Sequence, residues 1–201
     1  MPPPPDNLRY EDPVDSPAWP TCRRDDDCIG FRIDRADSCL AHLRAEEQIE
    51  FLRGLEPGGG LDLRGTPLTA ELVARLVDAM YDGGASRAVL GSVRFEHAKF
   101  SGLVRFEGAE FGPAMFVDAE FDGSVDFTGC EFAGPVDFSE VAVRDRARFV
   151  EARFDGPSLF GIQANGLEMR GARFAHFVAL RVTARTISCD QTRFEEGLSL
   201  L

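Results

Sequence analysis

The sequence predicts a mainly β solenoid, four short sides to a coil, set behind a small helical cap. Three observations predict it. Phenylalanine returns every five or six residues from Phe95 to Phe160. A small or aliphatic residue stands two positions before nearly every one of them. Ahead of this pattern lies a short segment with three cysteines and a histidine, Cys22, Cys28, Cys39 and His42, followed by two stretches of helical periodicity.

Written as small-x-Phe, the repeat has centres at Leu90, Phe95, Phe100, Phe106, Phe111, Phe116, Phe121, Phe127, Phe132, Phe138, Val143, Phe149, Phe154 and Phe160. It continues more weakly through Ala164, Met169, Phe174, Leu180, Ala184, Cys189, Phe194 and Leu200. Taking every fourth centre gives four columns, for instance Phe95, Phe116, Phe138, Phe160, Leu180 and Leu200, with a spacing of 21 or 22 residues early and 20 late. An amphipathic helix needs apolar residues at i, i+3, i+4 and i+7, and a strand needs strict alternation, so neither explains a long run of fives and sixes. Four sides of about five residues per coil do, because self-similarity near this period marks stacked units sharing one core. Neighbouring coils lie about 4.8 Å apart, so a little over five coils make a column roughly 25 Å tall.

The residues two before each centre test this register. A Phe centre has a small partner, as in Ala98 with Phe100, Ala109 with Phe111 and Ala119 with Phe121. Where the centre shrinks the partner grows: Val141 with Val143, Ile162 with Ala164, Val182 with Ala184, Leu167 with Met169, Ile187 with Cys189. A close-packed interior demands this trade of volume between two inward positions.

The units AKF, AEF, CEF and ARF resemble the pentapeptide repeat family, whose unit is commonly written A-(D/N)-L-x-x with Leu or Phe at the centre. The resemblance covers residues 86–201 and implies a right-handed quadrilateral β-helix with the centre and the i−2 residue facing inward. The extra residues of FSGLVRF and FDGSVDF depart from a strict five, which predicts bulges or widened corners at Gly102, Gly123 and Gly134. On the same lattice Cys130 and Cys189 fall inward as core.

Residues 1–20, rich in proline and acid, read as a flexible arm without the basic and apolar regions of a secretory signal. No run of apolar residues is long enough to span a membrane. A cytoplasmic location is therefore expected, where five cysteines are not read as disulfides. Residues 21–85 form the cap. In it Cys22, Cys28, Cys39 and His42 give C-x5-C-x10-C-x2-H, four ligands of the kind that close a tetrahedral zinc site. The readings are structural zinc, unmetallated cysteines of a small cap, and a reactive cysteine; four ligands leave no open coordination position, so zinc here argues for folding and not catalysis. Ile49, Phe51, Leu52 and Leu55 suit a short helix ended by Pro57 and three glycines. A second starts at Thr69, an N-cap with Glu71 in its first turn, and carries Leu72, Val73, Leu76, Val77 and Met80. Both are expected to close the first coil near Leu90, with LDLRG at 61–65 as a stray extended unit between them. The chain stops in the middle of a side, which predicts a β-helix continuing in a longer protein.

The net charge is −12, unevenly placed. Residues 95–140 hold ten acidic and two basic residues, whereas 141–201 hold seven acidic and nine basic. Arg105, Asp126, Arg148 and Glu168 fall at equivalent outward positions and alternate in sign, as a ladder of weak pairs. Another side runs Glu110, Glu131, Arg153, Arg173, Arg193, and its three stacked arginines are either relieved by Asp155 and Glu195 or await an acidic partner. Candidate partner-binding residues are thus Arg153, Arg173 and Arg193 on one half, and Glu110, Glu120, Asp122, Asp126 and Glu131 on the other.

No phosphate loop, nucleophile elbow or zinc-protease motif is present, and His97 and His176 sit beside repeat centres at outward positions. The chain reads as a non-enzymatic protein-interaction or scaffold module, with no direct nucleic-acid or membrane contact. Some members of the family it resembles mimic duplex DNA and bind type II topoisomerases, which makes DNA gyrase an alternative partner; yet 25 Å of duplex would show about 15 negative charges, more than this column carries. A third reading is the sensory or targeting part of a longer protein.

Overall fold

The computed structural model describes residues 17–34 and 36–200, so most of the arm expected over 1–20 lies outside the described residues. The four columns are present as parallel ladders. In the first, Phe138, Phe160, Leu180 and Leu200 are in register. In the second, Leu68, Phe100, Phe121, Val143, Ala164 and Ala184 are. The third aligns the rungs ending at Arg105, Asp126, Arg148 and Glu168, and the fourth aligns Leu90, Phe111, Phe132, Phe154, Phe174 and Phe194. Early sides are strands of two to four residues; later ones fuse around a corner into continuous runs, Val136–Arg148, Ser158–Glu168 and Val178–Ser188.

The bore is filled with benzyl groups. All twelve of the largest fully buried side chains are phenylalanines, from Phe95 to Phe174. Rings in one column stack, as Phe132 on Phe154 at 4.7 Å and 4° and Phe154 on Phe174 at 4.5 Å and 4°. Rings of adjacent columns meet edge to face, as Phe106 and Phe111 at 5.6 Å and 70°. Both geometries suit the ring quadrupole and add to the apolar burial. The trade of volume holds here: Ala98, Ala109 and Ala119 are buried beside full phenylalanines, and Val141, Ile162 and Leu167 are buried beside Val143, Ala164 and Met169.

The coil begins earlier than the boundary expected at residue 86. Leu61–Asp62 pairs in parallel with Val93 and Arg94, and Pro67–Thr69 pairs with residues 99–101, so LDLRG is the first side of the first coil. Helix α1 spans Ala45–Arg53 and helix α2 spans Ala70–Ala79. Thr69 Oγ1 accepts the Leu72 amide at 3.1 Å, the N-cap expected from the sequence. α2 stands where a third side would run and lays Leu72, Val73 and Leu76 over the strand Val104–Arg105, closing the bore. A short antiparallel pair, Tyr81–Asp82 with Arg87–Leu90, then returns the chain to the fourth side.

Corners need glycine where coils touch through their backbones. Gly102 has φ of +84°, and a Cβ on Gly123 would lie 2.4 Å from the Gly102 carbonyl oxygen. At Gly134 a Cβ would meet Pro113 N at 2.7 Å. The ladder register shifts between Phe138 and Val141 and between Val143 and Arg146, where the corners change width.

The last coil departs from the expected burial. Cys130 is buried, but Cys189 is exposed and Ile187 is 54% exposed. No described strand pairs beyond residues 181–188, so inward positions there have nothing stacked over them. No described helix is long and apolar enough to cross a membrane.

Candidate metal centre and charged faces

The cap loop brings Cys22, Cys28, Cys39 and His42 together, with their ligand atoms all within 4.8 Å of one another. Thr21 and Phe31 form an antiparallel bridge, and Cys22 N donates to Gly30 O at 2.8 Å, so the loop folds back as a hairpin. The five-residue gap holding Asp25, Asp26 and Asp27 is closed by a turn. Cys28 N donates to Asp25 O at 3.1 Å and Asp27 N to Asp25 Oδ1 at 3.1 Å. The 3-10 turn Leu40–His42 follows Cys39 and presents Cys39 and His42 on one side of a single turn.

The distances test whether a metal fits. Zinc bound to sulfur at about 2.3 Å and to nitrogen at about 2.05 Å in tetrahedral geometry sets ligand separations of about 3.8 Å for S···S and about 3.5 Å for S···N. Cys28 Sγ and Cys39 Sγ are 3.8 Å apart, Cys22 Sγ and His42 Nδ1 3.3 Å, and Cys39 Sγ and His42 Nδ1 3.6 Å. Three of the six edges thus match a tetrahedron of zinc size, and the four ligand atoms all lie within 4.8 Å of one another. Gly30 makes the closure possible: its amide donates to Cys28 Sγ at 3.4 Å, and a Cβ there would lie 2.8 Å from Cys39 Cβ.

The thiols are electrostatically unequal. Burial works against the Cys22 thiolate, but the backbone amides of Cys39 and Arg24 and the His42 ring outweigh it and bring its pKa down to about 7. Burial pushes Cys28 up, and pushes Cys39 up to about 12, with charge on the neighbouring thiols adding to both. Burial thus favours the neutral thiol at Cys28 and Cys39. A divalent metal held by Cys22, Cys28, Cys39 and His42 would reverse this, because a coordinating thiol is deprotonated outright.

The loop is clamped to the first coil by residues that sequence reasoning did not single out. Arg64 lies over the rings of both Trp19, at 4.8 Å, and Phe31, at 5.1 Å, while its guanidinium grips Asp62 through two bonds of 2.8 and 2.6 Å. Trp19 Nε1 donates to Ile29 O at 2.8 Å, and its ring meets His97 at 5.7 Å. Such a cation between two aromatic faces is favoured by the ring quadrupoles. Trp19 thus docks the Cys/His loop, and Arg64 links that loop to the β-helix. The signal in sequence was faint: one tryptophan and one LDLRG unit.

The expected charged faces divide. Glu120 and Asp122 are exposed, with Glu120 3.8 Å from Lys99 and Asp122 accepting the Gly102 amide. Asp126 is 5% exposed and engaged by Arg148 at 3.4 Å and the Thr128 amide, so its carboxylate is not offered to a partner. Of the sign-alternating ladder, Arg148 bridges Asp126 and Glu168, while Arg105 turns aside to Glu107. Glu110, Glu131, Arg153, Arg173 and Arg193 are in register on consecutive rungs. Arg87 bonds both Glu110, at 3.1 Å, and Glu131, at 2.7 Å. Among the described residues Arg153, Arg173 and Arg193 form no ion pair with Asp155, Glu195 or another carboxylate; they line an open groove with Glu151, Gln191 and Thr192. His97 and His176 face Asp118 and Glu196 at the surface.

Fold and cap together define a four-sided β-helical scaffold with a Cys3His cluster at one end. Among known families, the one described as pentapeptide repeats (9 copies) matches residues 85–131 and 116–161. Residues 85–161 are thus similar to pentapeptide repeats, a family that is generally non-enzymatic and whose solenoid supports a scaffold or interaction module. No curated protein and no solved structure shows significant similarity to the chain.

Proposed function

We propose that this protein is a non-enzymatic interaction scaffold, a stiff prism whose N-terminal end is held shut by a zinc ion on Cys22, Cys28, Cys39 and His42. The observation that carries the reading is the separation of roles along each side. Inward positions are given over to a continuous ring-stacked core, while outward positions are held at fixed spacing whatever their chemistry. A surface of that kind recognises a partner by its pattern of charge more than by a cavity.

Zinc is tested first, by elemental analysis of chain purified without added metal. One zinc per chain is expected, and Cys39→Ser should lose it; a wild-type chain lacking zinc that also fails to take up cobalt removes the metal from the proposal. For the scaffold, wild-type chain and a chain with Glu120 and Asp122 changed to Lys are compared as baits, with bound proteins identified by mass spectrometry after in-cell cross-linking. Recovery of the same set by both chains, or of none by either, counts against an acidic-face partner. The acidic balance of residues 95–140 also keeps a type II topoisomerase in view. That reading predicts inhibition of gyrase supercoiling by wild-type chain and relief in the same reversed variant.

A further inference from the structure

The fourth side of the prism carries a charge pattern that is complementary to itself. Its outward column runs Val89, Glu110, Glu131, Arg153, Arg173, Arg193 in unbroken parallel register, acid on the lower rungs and base on the upper. The next outward column on the same face holds small residues at four of its six rungs, Gly91, Gly112, Ala133 and Ala175, and acids at the other two, Asp155 and Glu195. Three arginines stacked in register repel one another, and among the described residues no carboxylate answers them. Glu110 and Glu131 are each held by Arg87 through Oε2, which leaves Oε1 of both free to accept.

We propose that this face is where two copies of the chain associate, packed side to side and pointing in opposite directions. A two-fold axis lying in the face along the strand direction, between the rungs of Glu131 and Arg153, sets Glu131 against Arg153 of the second copy and Glu110 against Arg173 of the second copy. Each contact occurs twice, as an isologous interface requires. The argument for a second copy over another acidic protein is spacing. Rungs repeat at about 4.8 Å, and an extended peptide presents same-face side chains at about 6.8 Å, so it drifts out of step; another parallel ladder matches rung for rung. Exposed ion pairs over one narrow face make the association weak and salt-labile. The inference goes beyond the scaffold reading, since it needs no foreign partner.

The test is sedimentation equilibrium of the full chain at about 50 mM and about 500 mM salt, where screening differs several-fold in range. Wild-type chain is expected to dimerise at low salt and to lose the dimer at high salt. Glu110→Arg with Glu131→Arg makes the column uniformly basic, and Arg153→Glu with Arg173→Glu makes its first four charged rungs acidic. Each variant alone should be monomeric, and an equimolar mixture should restore a one-to-one heterodimer, because every contact is then of opposite sign. Arg185→Glu, on another side, should leave the dimer intact. Circular dichroism is read first; if charge reversal unfolds a chain, Glu131→Gln and Arg153→Gln carry the comparison, each expected to weaken the dimer. A wild-type chain monomeric at low salt, a dimer indifferent to these substitutions, or variants that fold but do not complement one another would each overturn the proposal.

Discussion

At the scale of single residues the governing constraint is volume within a bore of fixed width. Phe127 is fully buried and stacks on Phe106 and Phe149 while meeting Phe116 and Phe138 edge to face. Phe127→Ala should cost about 3–5 kcal/mol in urea unfolding, the loss for a large ring whose site cannot collapse. A more searching test uses the pair Ile162 and Ala164, both buried on one side. Ala164→Phe should destabilise by about 1–3 kcal/mol through overpacking, and Ile162→Ala by about 2–5 kcal/mol through a cavity. Together they rebuild the common small-x-Phe unit, so the double variant should regain most of the loss. Additive losses would mean that the two side chains do not share one space. The inward pair was legible in the sequence because it recurs on every side. The exposure of Ile187 and Cys189 was not, because a repeat pattern records which way a residue points and not whether a coil lies above it.

At the scale of elements the strands were read well and the first coil poorly. Its sides at Leu61–Asp62 and Pro67–Thr69 are separated from the rest by α2, so the period breaks where the ladder does not. The Cys/His cluster was legible as four ligand types, but its closure depends on an aspartate turn and on Gly30, whose roles are geometric. Helix α1 offers a measurable pH response. The Arg44 guanidinium and amide both bond Glu47, at the start of the helix, and lower its carboxyl pKa to about 2. A depressed carboxyl stabilises the fold above its unfolded pKa of about 4.3, and that support is lost as pH falls through the folded value. The Arg44 amide proton, bonded to Glu47 Oε2 at 3.0 Å, should report it by NMR. Its shift should titrate with a midpoint about 2 in the wild type and stay flat in Glu47→Gln; a midpoint about 4.3 would show that the bond is not held in solution.

At the scale of the whole molecule, stability in a solenoid is close to a sum over neighbouring coils, so each end can loosen without the middle. The sequence named the architecture because stacking repeats one packing problem many times. It named no partner, because recognition rests on outward residues that the core leaves free to vary. The two ends differ in kind. One is closed by α2 and by the Cys/His loop fastened through Trp19, Arg64 and Phe31; in the last described coil Ile187 and Leu200 are 54% and 76% exposed. Hydrogen exchange should therefore fall into three tiers. Amides of residues 120–160, bonded to coils above and below, should exchange slowest, and those of 181–200 fastest of the β-helix. Residues 20–69 should be slow while metal is bound and become fast after chelation, with the middle tier unchanged, since the loop's hydrogen bonds depend on a ligand cluster and the middle coils depend on stacked rings. If chelation instead speeds exchange evenly from residue 20 to residue 200, the metal is a keystone of the entire prism and the coils are not independent neighbours.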